Sequence, residues 1–235
     1  MALERATEAV RKGDIATLQG LPPEQLRKAN STLDEDGRSI LHAAAAGGNK
    51  QILHWLLQHG AEQNVSLADD EGWTPLHSAV SAGHSEAVQM LLEAGSDAQA
   101  LTSGKRTPLH YAASKNPLAI PMLLAAGSRP SQKDATGSTA LHRACGAGKV
   151  EAVKLLLADQ RVNMEDRDRE GSTPLLVAVE SGQAPVVLYL ASIGADLQAA
   201  NKAGDTPLTA SASQGPLQQT MVAIANGDLD IEDVS

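Results

Sequence analysis

Residues 69–97 read DDEGWTPLHSAVSAGHSEAVQMLLEAGSD, which parses as a turn, a short helix, a second helix and a glycine stop. Thr74 is a good helix N-cap and Pro75 suits the first helical position, where its missing N–H would otherwise be an unbonded donor. Gly72, two residues before the threonine, predicts a turn that needs a positive φ. EAVQMLL supplies the broad apolar face of the second helix, and Gly95 ends it.

The same register returns along the chain. It recurs as Ser39-Ile40-Leu41-His42, Thr107-Pro108-Leu109-His110, Thr139-Ala140-Leu141-His142, Thr173-Pro174-Leu175-Leu176 and Thr206-Pro207-Leu208-Thr209, in steps of 35, 33, 32, 34 and 33 residues counted through Thr74. Turn glycines stand at Gly37, Gly137, Gly171 and Gly204, with Gly104 one residue early in its copy. The stop returns as Gly60, Gly127, Gly194 and Gly227, and is missing at Asp159-Gln160. Small residues at Ala44, Ala79, Ala112, Ala144 and Ala178 let the first helices stack closely. The helices are too short to persist alone in water, where about 12–15 residues are needed, so their stability comes from neighbours.

A 33-residue period with this motif resembles the ankyrin repeat. The fold it implies is an all-α solenoid of seven stacked helix-turn-helix repeats with short β-turn or hairpin fingers. We expect one domain over residues 1–235. Its parts are an N-terminal capping repeat at 1–35, full repeats at 36–70, 71–103, 104–135, 136–169 and 170–202, and a C-terminal capping repeat with an acidic tail at 203–235. The N-terminal cap lacks the motif but keeps a helix, a Gly13-Asp14 break and a second amphipathic stretch, as a polar end repeat should.

Composition agrees with thin helical layers. Hydrophobic residues make up 42% of the 235 and charged ones 20%, but there are only two Trp, two Tyr and no Phe. A core of Ala, Leu, Val and Ile suits layers in close contact. The formal net charge of −9 argues against a generic nucleic-acid surface, which needs basic contacts to phosphate. The N-terminus has no apolar signal region, and no run approaches the roughly 20 apolar residues of a membrane helix. The single cysteine, Cys145, suits a reducing compartment. We therefore expect a cytoplasmic and nuclear protein, monomeric on its own, with no nucleic-acid or membrane partner.

Outside the repeat pattern the sequence holds no constellation that points to catalysis or metal binding. Equivalent atoms of His42, His77, His110 and His142 should lie about 8–10 Å apart by helix packing, whereas zinc holds its ligands at about 2.1 Å. These imidazoles are expected to bond to backbone in adjoining loops. Cys145 follows His142 by three residues, yet it fills the slot of Val80, Ala113 and Val179 and is read as a small core thiol. No phosphate-cradling loop or catalytic triad stands outside the repeat pattern. The expectation is a non-enzyme with no metal and no cofactor.

What varies between repeats is the turn tips and the outward positions of the first helices, where such solenoids bind partners along a concave face. The candidate binding residues are Asp36, Arg38, Asp70, Glu71, Trp73, Ser78, Ser81, Lys105, Arg106, Tyr111, Lys115 and Arg143, with Glu170 and Asp205 beyond them. Trp73 at a turn tip gains little from the core, and Tyr111 should point into the groove. Arg38 and Lys115 are read as outward cations that suit an acidic partner surface. The succession DEDGRS, DDEGWTPLHSAVSAG, TPLHYAASKN and TALHRA resembles family members that chaperone assembly of the 26S proteasome regulatory particle. That resemblance implies a partner, the C-terminal domain of one ATPase subunit of that particle. By position it implies contact acids at Asp36 and Asp70 and contact bases at Arg38 and Lys115. The same groove on another partner, as in an adaptor or a kinase-regulating inhibitor, is the alternative.

Overall fold

A computed structural model of the chain describes residues 2–213 and 215–226. Gly227 and the acidic tail after it lie outside these residues. Among the described residues all regular structure is helical. The chain divides into two compact units, Met1–Arg129 and Pro130–Ser235.

The first unit carries α1 (Ala2–Lys12), α2 (Ile15–Gln19), α3 (Pro23–Ser31), α4 (Ile40–Gly47), α5 (Lys50–Leu56), α6 (Pro75–Ala82), α7 (Ser85–Glu93), α8 (Pro108–Lys115) and α9 (Ile120–Ala125). In the second are α10 (Ala140–Gly146), α11 (Val150–Leu157), α12 (Pro174–Glu180), α13 (Ala184–Ser192), α14 (Pro207–Ala210) and α15 (Pro216–Asn226). First helices pack on first helices, α1 on α4 on α6 on α8, and α10 on α12 on α14; second helices do likewise, α5 on α7 on α9, and α11 on α13 on α15. Each unit is thus a two-layer helical stack.

The motif residues act as their chemistry predicts. Thr74 and Thr173 cap their helices by accepting from the backbone N–H of His77 and Leu176, and proline occupies the first turn of α6, α8, α12 and α14. Leu41, Leu76, Leu109, Leu141 and Leu175, each two residues past the cap, are at most 1% exposed. The alanines at Ala44, Ala79, Ala112, Ala144 and Ala178 are equally buried, which is why a larger side chain there would hold the helices apart. The N-terminal cap breaks as expected: Gly13 turns at φ 72°, and the Asp14 carboxylate accepts from Thr17 N at 3.0 Å to start α2.

The fingers are tight turns with no strand among the described residues. Gly72 sits at φ 77°, and a Cβ on it would meet Leu101 O at 2.8 Å, so both its handedness and the next finger's approach require glycine. In the copy where glycine falls early, the turn keeps its register and Lys105 takes the left-handed position instead, at φ 56°. An L-residue pays about 1–2 kcal/mol there, and glycine gives back part of that through a freer unfolded chain. Lys105→Gly is therefore expected to raise the unfolding free energy by about 0.5–1 kcal/mol. Urea denaturation checks it; a loss of stability would mean the lysine side chain braces the finger.

Candidate protein-binding surface

Two periodic devices build the surface. The first is the imidazole. In α4, α6 and α10 the ring Nδ1 accepts the backbone N–H of the capping residue, at 3.0 Å for His42 from Ser39 and 3.2 Å for His77 from Thr74 and for His142 from Thr139. That fixes the proton on Nε2, which donates to a carbonyl of the following finger: Trp73 O at 2.9 Å, Arg106 O at 3.2 Å and Ser172 O at 3.1 Å. Each ring ties its own helix start to its neighbour's turn, as the sequence reading expected. Desolvation pushes all three imidazoles below the usual histidine range, His77 to about 4, while the carbonyl bond opposes it.

The second device is one the sequence reading missed. Five residues before each capping residue stands Asp34, Asp69, Thr102, Asp134, Asp168 or Asn201, and its side-chain oxygen accepts backbone N–H groups from within its own finger. Asp69 Oδ1 takes Glu71 N at 3.0 Å and Trp73 N at 2.8 Å, and Asp168 Oδ1 takes Glu170 N at 3.0 Å and Ser172 N at 2.9 Å. The signal was present as a short polar residue at one fixed offset. Neighbouring tips then link by backbone, Asp70 N to Asp36 O, Ser103 N to Glu71 O, and Lys202 N to Glu170 O.

On the inner side of the first unit the structure brings several candidates together. The Trp73 and Tyr111 rings meet at 4.7 Å between centroids, with His77 5.8 Å from each, and the Arg106 guanidinium lies 6.0 Å over Tyr111. Trp73, Ser78, Ser81 and Tyr111 are half-buried, while Asp36, Asp70, Glu71, Lys105 and Lys115 are exposed. Glu71 accepts from Ser103 Oγ at 2.7 Å.

The two cations read as outward-facing are engaged. Lys115 Nζ donates to Ser81 Oγ at 2.9 Å. Arg38 Nε donates at 2.9 Å to Asp69, whose side chain is 1% exposed, and this bond raises the Arg38 pKa above its ordinary value. Arg38 is thus the lid on a buried carboxylate that itself holds the next finger. Removing a partner from such a pair leaves a buried charge, so Arg38→Glu perturbs the fold as well as the surface. We expect Asp69→Ala to cost about 2–3 kcal/mol, from two finger N–H groups left without their acceptor and the loss of the ion pair to Arg38. Arg38→Ala should cost less, because half of that side chain already faces water. Equal effects in urea denaturation would show that the pair, not the finger bonds, carries the stability.

Arg143 in the second unit has a related role on the finger that leads into its own helix. Its guanidinium grips Asp134 through two nitrogens and bonds Thr136 Oγ1 at 2.9 Å. Burial would raise the Asp134 pKa, but bonds from Thr136 and Arg143 outweigh it and hold the carboxyl down at about 2. Arg167 also spans two fingers, donating to Gly171 O and Ala200 O. Glu170, Glu180 and Asp205 are exposed on this unit. Desolvation, with the charges of Asp168 and Asp205, raises the Glu180 pKa.

Cys145 is fully buried, and burial pushes its thiol upward. Both nitrogens of His142 are committed to Thr139 and Ser172, so no thiolate–imidazole pair forms. Among the described residues no group of three metal-ligating side chains comes together, and no helix is long and apolar enough to cross a membrane.

Stacked helix pairs joined by capped turns and cross-repeat imidazoles define an ankyrin-repeat solenoid, and the chain belongs to that family. The family model described as ankyrin repeats (3 copies) matches residues 7–102 and again 109–201. Among solved structures, the human ASB11 ankyrin repeat domain is similar, with 27% sequence identity, a TM-score of 0.81, and coverage of 93% of this chain and 96% of that one. A comparison with curated protein sequences finds no match. The family defines a protein-interaction scaffold.

Proposed function

We infer that this chain is a non-catalytic chaperone in assembly of the 26S proteasome regulatory particle, and that it resembles gankyrin, the non-ATPase regulatory subunit 10. On this reading the inner-helix face of the first unit grips the C-terminal domain of one ATPase subunit, in the cytoplasm and nucleus, and releases it when the particle is complete. The observation that carries the reading is the Trp73–Tyr111 ring pair, set by the GWTPLH and TPLHYAASKN segments and flanked by acidic tips at Asp36, Asp70 and Glu71 and a basic tip at Lys105 and Arg106. Aromatic anchors inside a rim of mixed charge suit a folded partner, because the rings supply affinity and the charges supply orientation.

Capture of the purified ATPase C-terminal domain by this chain, followed by calorimetry at low and moderate salt, tests the reading. Trp73→Ala is expected to weaken capture at least tenfold, with a smaller effect from Lys115→Glu that fades as salt rises. No capture by the wild-type chain would sink the chaperone reading. The likeness to another ankyrin domain would then favour an adaptor or kinase-regulating inhibitor using the same face, and mass spectrometry of proteins held from a lysate would name its partner.

A further inference from the structure

The inner face of the first unit is unevenly filled. Four residues past the helix caps stand Ala43, Ser78 and Tyr111, so side-chain bulk falls away toward α4. Ala46 and Gly47 extend the low ground one turn on. Between α1, α4 and α6 this leaves an open cavity of about 590 Å³, floored by these small residues and walled by the half-buried Trp73. That volume falls in the range of sites that enclose a compact organic group.

The charges around it are matched. Arg11 and Arg38 line the cavity together with Asp34 and Asp36. The Arg38 guanidinium is held by Asp69, and Asp34 Oδ1 is turned back on Asp36 N at 3.1 Å and Arg38 N at 2.9 Å. The two cations and two carboxylates of the lining sum to zero, so it gives no net preference to a cationic or an anionic guest. A flat neutral guest meets the Trp73 ring and a guanidinium fixed in place, both of which stack well on aromatic faces.

We propose that this cavity seats one large neutral aromatic side chain of the partner, stacked on Trp73 above the alanine floor. The proposal rests on the reading that this face grips a folded partner, and it names the anchor that partner must present. Fully desolvated aromatic anchors are where interface energy concentrates. The specificity is steric, since bulk at Ala43 or Ala46 would occupy the same space.

The test uses a probe that needs no known partner. N-acetyl-tryptophanamide and N-acetyl-argininamide are titrated to millimolar concentration into the whole chain, and the Trp73 indole N–H and the Ala43 and Ala46 methyl signals are followed by NMR. The aromatic probe is expected to shift all three and the arginine probe to shift none. Ala43→Trp, or Ala46→Trp at a more exposed position should the first variant unfold, is expected to abolish the response and to weaken capture of the ATPase C-terminal domain at least tenfold. An equal response to the arginine probe, no response to the aromatic one, or a response that survives both filled variants overturns the proposal. Failure of the wild-type chain to bind the ATPase domain removes that partner while the probe titration still decides the cavity.

Discussion

Leu141→Asp is expected to unfold the second unit. The leucine is 1% exposed in α10, the helix that packs on both α11 and α12. Losing its burial costs about 1.5–3 kcal/mol, and an ionised carboxylate in the same place has no partner to repay its desolvation. Together these exceed the 4–5 kcal/mol that marks an exceptional substitution, against about 5–15 kcal/mol for a whole domain. In a repeat stack the harm spreads, because each repeat's stability includes its contacts with the next. Circular dichroism at 25 °C should show lost helix, and Glu151→Gln on the exposed side of α11 should be silent. A wild-type melting curve for Leu141→Asp would mean the repeat register is wrong.

That register is the part of the fold written most plainly in the chain. Threonine, proline, leucine and histidine recur at one offset, and each has a role that local physics assigns: cap, first turn, core and cross-repeat bond. The finger residues that hold the turns, from Asp34 to Asn201, are equally periodic but harder to see. An aspartate near a turn tip, such as Asp69, reads as a solvated charge until the turn closes around it. Arg38 and Arg143 illustrate what periodicity does not carry. Arg38 reaches a carboxylate 31 residues later, while Arg143 reaches one nine residues earlier, so the same residue type serves different fingers. The sequence places both among the candidate contacts and gives no sign of these partners. Trp73 and Tyr111 were each picked out singly; their meeting follows only once adjacent repeats are stacked, since one ends a finger and the other lies one turn inside the next helix. The cavity beside Trp73 was legible only as a run of alanines, which alone says nothing about depth.

Acidification from neutrality should weaken the stack, and the histidines are the reason. His42, His77 and His142 are held neutral by burial, with Nδ1 accepting a backbone N–H, so a second ring proton would have to displace that bond. Their folded pKa values lie below the unfolded value near 6.5. Between those limits the unfolded chain binds more protons than the folded one, so stability falls as pH falls. The neutral imidazoles contribute fully above about 6.5, and the His77 contribution drains away down to about 4. At 1.36 kcal/mol per unit, His77 alone accounts for about 2 kcal/mol lost between neutrality and pH 5, and His42 and His142 act in the same direction. Asp134, held at about 2, cannot contribute in that window. Urea denaturation at pH 7.5, 6.0 and 5.0 is expected to show a stability loss of at least 2 kcal/mol across the first unit. His77→Gln, which keeps a polar side chain without a titrating ring, should lower stability at neutral pH and flatten the slope. If His77→Gln leaves the slope unchanged, the imidazole in α6 takes up its proton at the same pH folded and unfolded, and its bond to the Thr74 N–H does not hold it neutral in solution.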